Sequence, residues 1–204
     1  MRTVRLLICL LGLAAVAAAQ QKPATPAATP APAAPEKLSV TVSEANPLSA
    51  WNRHAYGIIQ DILLRSAEKM PEENYGFRPT EAVRSYGQIV GHLADSSYFF
   101  CTTALGQPYT SRNIEKTRTS KAELIAALKE AVAFCNQVYG GMTDAAGTQT
   151  VTLFGNANTP KLAVLNVNEI HSMEHYGNLV TYLRMKNIVP PSSEPAPQPP
   201  PAKK

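Results

Sequence analysis

Pro160–Arg184 reads PKLAVLNVNEIHSMEHYGNLVTYLR, and this stretch decides the fold. Leu162, Val164, Leu165, Asn168, His171, His175, Leu179, Tyr182 and Leu183 recur at helical spacing. Val164, Asn168, His171, His175, Leu179 and Tyr182 fall within about a third of the circumference at 100° per residue, so one face is meant for the interior. The helix opens around Thr159-Pro160, and Pro190-Pro191 closes it.

Three earlier segments carry the same period. The first starts at Asn46-Pro47, a capping residue followed by proline at the first helical position. Its apolar stripe is Leu48, Trp51, Ala55, Ile58, Ile59, Ile62 and Leu63, and it ends at Met70-Pro71. The second begins near Arg84-Ser85, beyond Pro79, and runs through Ile89, His92, Leu93, Ser96 and Phe100 to Leu105-Gly106. The third starts at Thr119-Ser120, with Glu123 completing a capping-box pattern. Leu124, Leu128, Ala131, Val132, Cys135 and Val138 form its stripe, and Gly140-Gly141 stops it. Only Thr148–Phe154 (TQTVTLF) alternates like a strand; with no second strand in view, it is expected to be an extended linker. Four helices of roughly 20–28 residues, one stripe each, predict an all-α four-helix bundle over residues 38–190. There is no internal repeat.

The ends of the 204-residue chain have a different chemistry. Twelve of the 17 prolines lie in residues 22–36 and 190–204. Between Leu38 and Val189 the chain carries 13 basic and 13 acidic residues, so the formal +4 belongs to the termini. A basic pI that resides on the ends gives no basic face, and nucleic-acid binding is set aside. Arg2 and Arg5, the apolar run Leu6–Ala18 and the small residues Ala17-Ala18-Ala19 make residues 1–19 an export signal. Thirteen apolar residues are too few to span a bilayer, which needs roughly 20, so no membrane span is expected once the signal is removed. The mature chain is expected outside the cytoplasm, periplasmic or extracellular. Residues 20–37 read as an Ala/Pro-rich linker and residues 191–204 as a Pro-rich disordered tail.

The chemistry concentrates in histidine. His171 and His175 are four apart on the last helix, about 5–6 Å apart at Cβ and on one face. Both imidazoles can then reach one ion at roughly 2.0–2.1 Å if it is zinc. His92 lies on the inward face of the second helix, between Ile89 and Ser96. Three such ligands occupy three corners of a coordination shell and leave the rest open. A lone inward histidine is more often a hydrogen-bonded core residue, and His54 fits that description. Two imidazoles inside a bundle are costly unless something coordinates them, which favours one divalent ion on His92, His171 and His175. His171-Ser-Met-Glu174-His175 also fits H-x-x-E-H, the inverted zinc-protease motif, but the only later acid available as a third ligand is Glu194, in the tail. Asp61, Asp95, Asn168, Asn178 and His54 are candidates for support or acid–base work behind the ligands.

Two blocks resemble a known family. Phe77-Arg78-Pro79 followed by Arg84-Ser-Tyr-Gly-Gln-Ile-Val-Gly-His92-Leu-Ala-Asp95 is similar to the second-helix block of the DinB-like (YfiT-like) proteins. His171-x3-His175-Tyr-Gly-Asn-Leu-Val-Thr-Tyr182-Leu-Arg184-x5-Pro190-Pro191 is similar to their last-helix block. The resemblance covers Val42 to Ser192. It implies a four-helix bundle with a crossover connection between helices 2 and 3, and a divalent metal, zinc or nickel, on the positions matching His92, His171 and His175. The family includes thiol-dependent S-transferases and a mycothiol-dependent isomerase. Where it often has Gln three residues after the last ligand histidine, this chain has Asn178. The crossover bears on Cys101 and Cys135, each near the C-terminal end of its helix. In a simple antiparallel hairpin those ends lie about 25–30 Å apart at 1.5 Å per residue, and no bond forms. The connection from Gly106 to Arg118 is long enough to run back along the bundle, and the order implied by the family brings the two cysteines level, so a disulfide or close approach is expected.

Three neutral imidazoles leave a divalent ion its full charge, which acidifies a bound water or thiol. Water implies a hydrolase and a thiol a transferase, acting on a small molecule of unspecified structure. The competing class is a non-catalytic envelope metal- or ligand-binding bundle. There is no Ser/His/Asp or Cys/His nucleophile set and no glycine-rich phosphate loop. A homodimer is compatible with the sequence.

Overall fold

Proline, two capping boxes and a few left-handed residues set the bounds of the elements. The structure is a computed structural model that describes residues 45–195; the segments read as export signal and linker lie outside the described residues, as does most of the tail. α1 is Pro47–Lys69. α2 is Tyr86–Ala104 and opens on a complete capping box between Ser85 and Gln88. The short α3, Ile114–Thr117, interrupts the connection that follows. α4, Lys121–Gly141, begins with the Ser120–Glu123 capping box expected from the sequence. After the single turn α5, Asp144–Gly147, a hairpin of β1, Thr150–Leu153, and β2, Asn156–Pro160, leads into α6, Lys161–Met185. Among the described residues no helix is long and apolar enough to cross a membrane.

The four long helices form the bundle. Leu124, near the start of α4, lies against Gly87 and Gly91 near the start of α2. At the other ends a disulfide joins Cys101 to Cys135, with Cα atoms 5.6 Å apart. Like ends therefore meet like ends, so α2 and α4 run parallel and residues 105–120 return along α2. That return is close. A Cβ on Gly91 would sit 2.7 Å from the Cα of Glu115, so only glycine lets α3 cross there. Leu63, Met70, Leu93, Leu124, Leu128, Leu179 and Leu183 fill one core cluster. Tyr56, Phe100, the two cysteines, Tyr139, Leu153 and Leu165 fill a second.

The stripes of α4 and α6 lie where the sequence puts them, but that of α1 does not. Leu48, Trp51 and Ile58 are exposed, while Ser49, Asn52, Tyr56, Gln60, Leu63, Ser66 and Ala67 face inward. The burial phase is shifted by about one residue, roughly 100°. Specific pairing causes the shift. Tyr56 stacks on Tyr139 with ring centroids 3.9 Å apart, and Asn52 Nδ2 donates to Asn166 Oδ1 on α6. Asn46 stands at the cap position without capping. Its Oδ1 accepts from the Asp144 N–H (2.9 Å), and it is Asp144 whose carboxylate accepts from the N–H groups of Leu48 and Ser49.

The expectation of an unpaired linker at Thr148–Phe154 is overturned. β1 pairs antiparallel with β2, Leu153 facing Asn156 across a two-residue turn. Phe154 (φ 48°) and Gly155 (φ 83°) are both left-handed, as the twist-matched hairpin turn requires. The partner Asn-Ala-Asn-Thr-Pro is almost wholly polar, so no alternation marks it. α6 ends before Pro190: Asn187 turns left-handed (φ 57°), and Pro191–Ser193 form a short 3-10 turn. Glu194, assigned to the tail in the sequence, pairs with Arg65 and Lys69 of α1.

Candidate metal centre

α2 and α6 bring three imidazoles together. His171 Nε2 lies 3.1 Å from His92 Nε2 and 3.2 Å from His175 Nε2, and the three possible ligand atoms all fall within 4.8 Å of one another. Ligands bound at about 2.05 Å stand about 2.9 Å apart at a right angle and about 3.3 Å apart at a tetrahedral one. The two close spacings lie between those limits. Hydrogen bonding alone serves the trio poorly, because a single His171 Nε2, with one proton or one lone pair, faces two neighbours. The donor set and its convergence fit a divalent ion.

Burial lowers the pKa of all three rings. That of His171 falls to about 4, with the neighbouring His175 as second cause. His92 and His175 are lowered too, first by burial and then by nearby positive charge. All three therefore present neutral imidazoles at neutral pH, the form that binds metal.

The groups behind the three rings set their tautomers. Glu115 Oε2 lies 3.2 Å from His92 Nδ1 and accepts its proton, which leaves the Nε2 lone pair facing the other rings. Glu115 is fixed in turn: its other oxygen accepts from Arg84 Nε (2.9 Å). Asp95 accepts from the N–H groups of Ile114 (3.0 Å) and Glu115 (2.9 Å), pinning α3 to α2. Asn178 Nδ2 lies 3.4 Å from His175 Nδ1; with the amide turned over, its oxygen stands in that place and accepts the ring proton. Nδ1 of His171 is buried without a hydrogen-bond partner among the described residues.

Of the residues picked from sequence, His92, His171 and His175 come together, with Asp95 and Asn178 behind them. The others do not join. His54 sits beside Trp51 on α1, Asp61 pairs with Arg65, and Asn168 donates to the Tyr139 hydroxyl. Glu194, the only late acid for the protease motif, is held by α1. Glu115 was missed. It is the only acid between Gly106 and Arg118, and a lone carboxylate in a connection that must pass along α2 was the available signal.

The centre is reached from two sides. Arg84, Glu115, Glu174, His175, Asn178 and Tyr182 line a polar cleft of about 520 Å³. A smaller cleft, about 270 Å³, opens over His92 and His171.

A helix bundle with three convergent histidines on its second and last long helices defines the class. The DinB superfamily model matches residues 56–179, and the chain belongs to that superfamily. No curated protein matches it in sequence. Among solved structures it is similar to a DinB-like protein from Bacillus cereus, at 13% identity and a TM-score of 0.61 over 69% of this chain and 93% of that one. A DinB-like protein from Bacillus subtilis, YjoA, is 18% identical, with a TM-score of 0.54 over 67% and 92%. A mycothiol-dependent maleylpyruvate isomerase is 13% identical, with a TM-score of 0.53 over 65% of this chain and 59% of its own. At these identities the likeness is one of fold.

Proposed function

We propose that this is an exported, divalent-metal-binding DinB protein that uses His92, His171 and His175 for metal-dependent hydrolysis or group transfer on a small molecule. The observation that carries the reading is the convergence of three Nε2 atoms, with neighbours at 3.1 and 3.2 Å. When bound, a divalent ion such as zinc or nickel supplies Lewis acidity, lowering the pKa of a coordinated water or thiol. The chain does the rest. Glu115 keeps a proton on His92 Nδ1, Asn178 does the same for His175 with its amide oxygen turned toward Nδ1, and Asp95 holds Glu115 in register with α2. The mycothiol-dependent isomerase neighbour supports a thiol as one co-substrate, while the disulfide and residues 1–19 support an oxidising compartment, where small thiols are scarce and water is the commoner nucleophile.

One observation favours the non-catalytic alternative: Glu115, the carboxylate that touches His92, is already engaged by Arg84 and that ring, so Glu174 in the cleft wall is the carboxylate left to act as a general base. Elemental analysis of the purified mature protein, then hydrolase and thiol-transfer screens of the metal-loaded form, separates the readings. One equivalent of metal with turnover supports the enzyme. Metal without turnover supports the metal-binding bundle, and no metal in the wild-type protein overturns both the enzyme and the metal-binding bundle. N-terminal sequencing should find a mature chain starting at Gln20; an intact Met1 in the recovered protein would overturn export with cleavage.

A further inference from the structure

The smaller cleft over His92 and His171 is walled almost entirely by rings. Phe99 and Phe100 come from α2, Tyr109 from the returning connection and Phe154 from the tip of the hairpin. Phe99 meets Tyr109 edge-on at 5.3 Å and stacks with Phe154 at 5.6 Å, while Phe100 stands 5.6 Å from the His171 ring.

The polar side chains in the wall are already committed inside the protein. The Asp95 carboxylate accepts two backbone N–H groups, the Ser96 hydroxyl donates to Leu93 O, and the Tyr109 hydroxyl donates to Asp95 O. What the cleft offers a visitor is π surface along its sides and the histidine centre at its floor.

Phe154 is the residue that fold stability does not explain. It occupies a left-handed turn position (φ 48°), where Asn, Asp or Gly is at ease and a bulky side chain is strained. The residue is still 75% exposed, so packing against Phe99 and Phe100 recovers little of the burial a phenylalanine can gain. A strained, exposed aromatic beside a cleft is accounted for if a ligand completes its burial.

We propose that this cleft binds a small molecule with a single aromatic ring and a metal-ligating head, the ring packing against Phe99 and Phe154 and the head at the three-histidine centre. About 150 Å³ suffices for benzene, so about 270 Å³ accommodates one ring and a short arm. The proposal rests on the metal reading above, and Phe154 is its specificity-determining residue.

The test compares benzohydroxamate with acetohydroxamate, which share a head and differ by the ring, on the zinc-loaded protein by calorimetry. Benzohydroxamate should bind at least about tenfold more tightly, and Phe154→Asn, which suits the turn, should erase most of that preference while zinc content and acetohydroxamate affinity stay unchanged. Equal affinities in the wild type, or a preference that survives both Phe154→Asn and Phe99→Ala, overturn the proposal and leave the metal reading intact. If zinc is not retained, the metal reading fails on its own and the ring site is tested on the metal-free chain with benzyl alcohol. Shifts of the Phe99 and Phe154 side-chain resonances then support the ring site; their absence overturns it.

Discussion

α6 presents buried polar groups on two sides, and they solve the cost of burial differently. Toward α2 it carries His171 and His175. Toward α1 it carries Glu169 and Ser172, near the inward Asn52, Tyr56 and Gln60, and each of these five has a buried polar atom without a hydrogen-bond partner among the described residues. Desolvation drives both sides to neutrality. It lowers the His171 pKa to about 4 and raises that of Glu169 to about 8. A neutral imidazole has a lone pair to offer a cation, whereas a neutral carboxylic acid has given its strongest acceptor to a proton. The same physics therefore leaves lone pairs free on one side and a sealed acid on the other.

The largest effect expected is at the histidine side. His171→Ala should reduce bound metal from one equivalent to none by elemental analysis, since His171 faces both other ligands. Unchanged metal content would break the contrast at its root. The acid side is tested by pH. The folded state holds the Glu169 proton up to about pH 8, while the unfolded chain releases it near 4.5. The unfolded state therefore binds fewer protons across that window, and this group's contribution to stability falls as pH rises, by about 1.4 kcal/mol per unit. Glu169→Gln should flatten the decline in metal-free protein and be more stable than wild type at pH 8, by on the order of 3 kcal/mol once the roughly 5 kcal/mol of the full shift is discounted for solvent screening, with little difference at pH 4.5. Urea denaturation at both pH values checks this; parallel pH profiles would mean that Glu169 is ionised in place.

A smaller effect separates the ligands from what orients them. Glu115→Gln keeps the shape but weakens the acceptor for His92 Nδ1–H, and metal affinity measured against a competing chelator should drop about tenfold, the lower end for such supporting groups. No loss would make Glu115 a partner of Arg84 alone. The smallest effect belongs to His54→Ala, which should leave metal affinity within about twofold, because that ring lies beside Trp51 rather than in the trio. An equal loss there would add it to the ligand set.

Much of this arrangement could be read from the amino-acid order because it follows one rule, that apolar residues at helical spacing turn inward. α4 obeys it from Leu124 to Val138, and α6 obeys it with two histidines in phase, so the bundle and the histidine cluster were both legible. α1 breaks the rule because Tyr56 stacking on Tyr139, and Asp144 reaching Ser49, are long-range pairings that no local window contains. The hairpin escaped notice for a related reason: its second strand has no apolar face to show, and its turn uses phenylalanine where asparagine would have signalled it. Glu115 is placed by the path of the backbone rather than by a pattern, and a connection's path is a tertiary property.

The crossing at Gly91 carries a consequence for how this protein tolerates change. A screen of random substitutions scored by retained metal would flag the ligands, as any reader would expect. It should flag position 91 as well, although glycine there offers no side-chain donor, acceptor or apolar surface. One added methyl at that position meets the backbone of Glu115 rather than a side chain that could swing away, so the whole α3 segment has to lift. The proton on His92 Nδ1 then loses its acceptor. The most restricted alphabet next to the centre would belong to a residue with no chemistry of its own, and its message would be a distance.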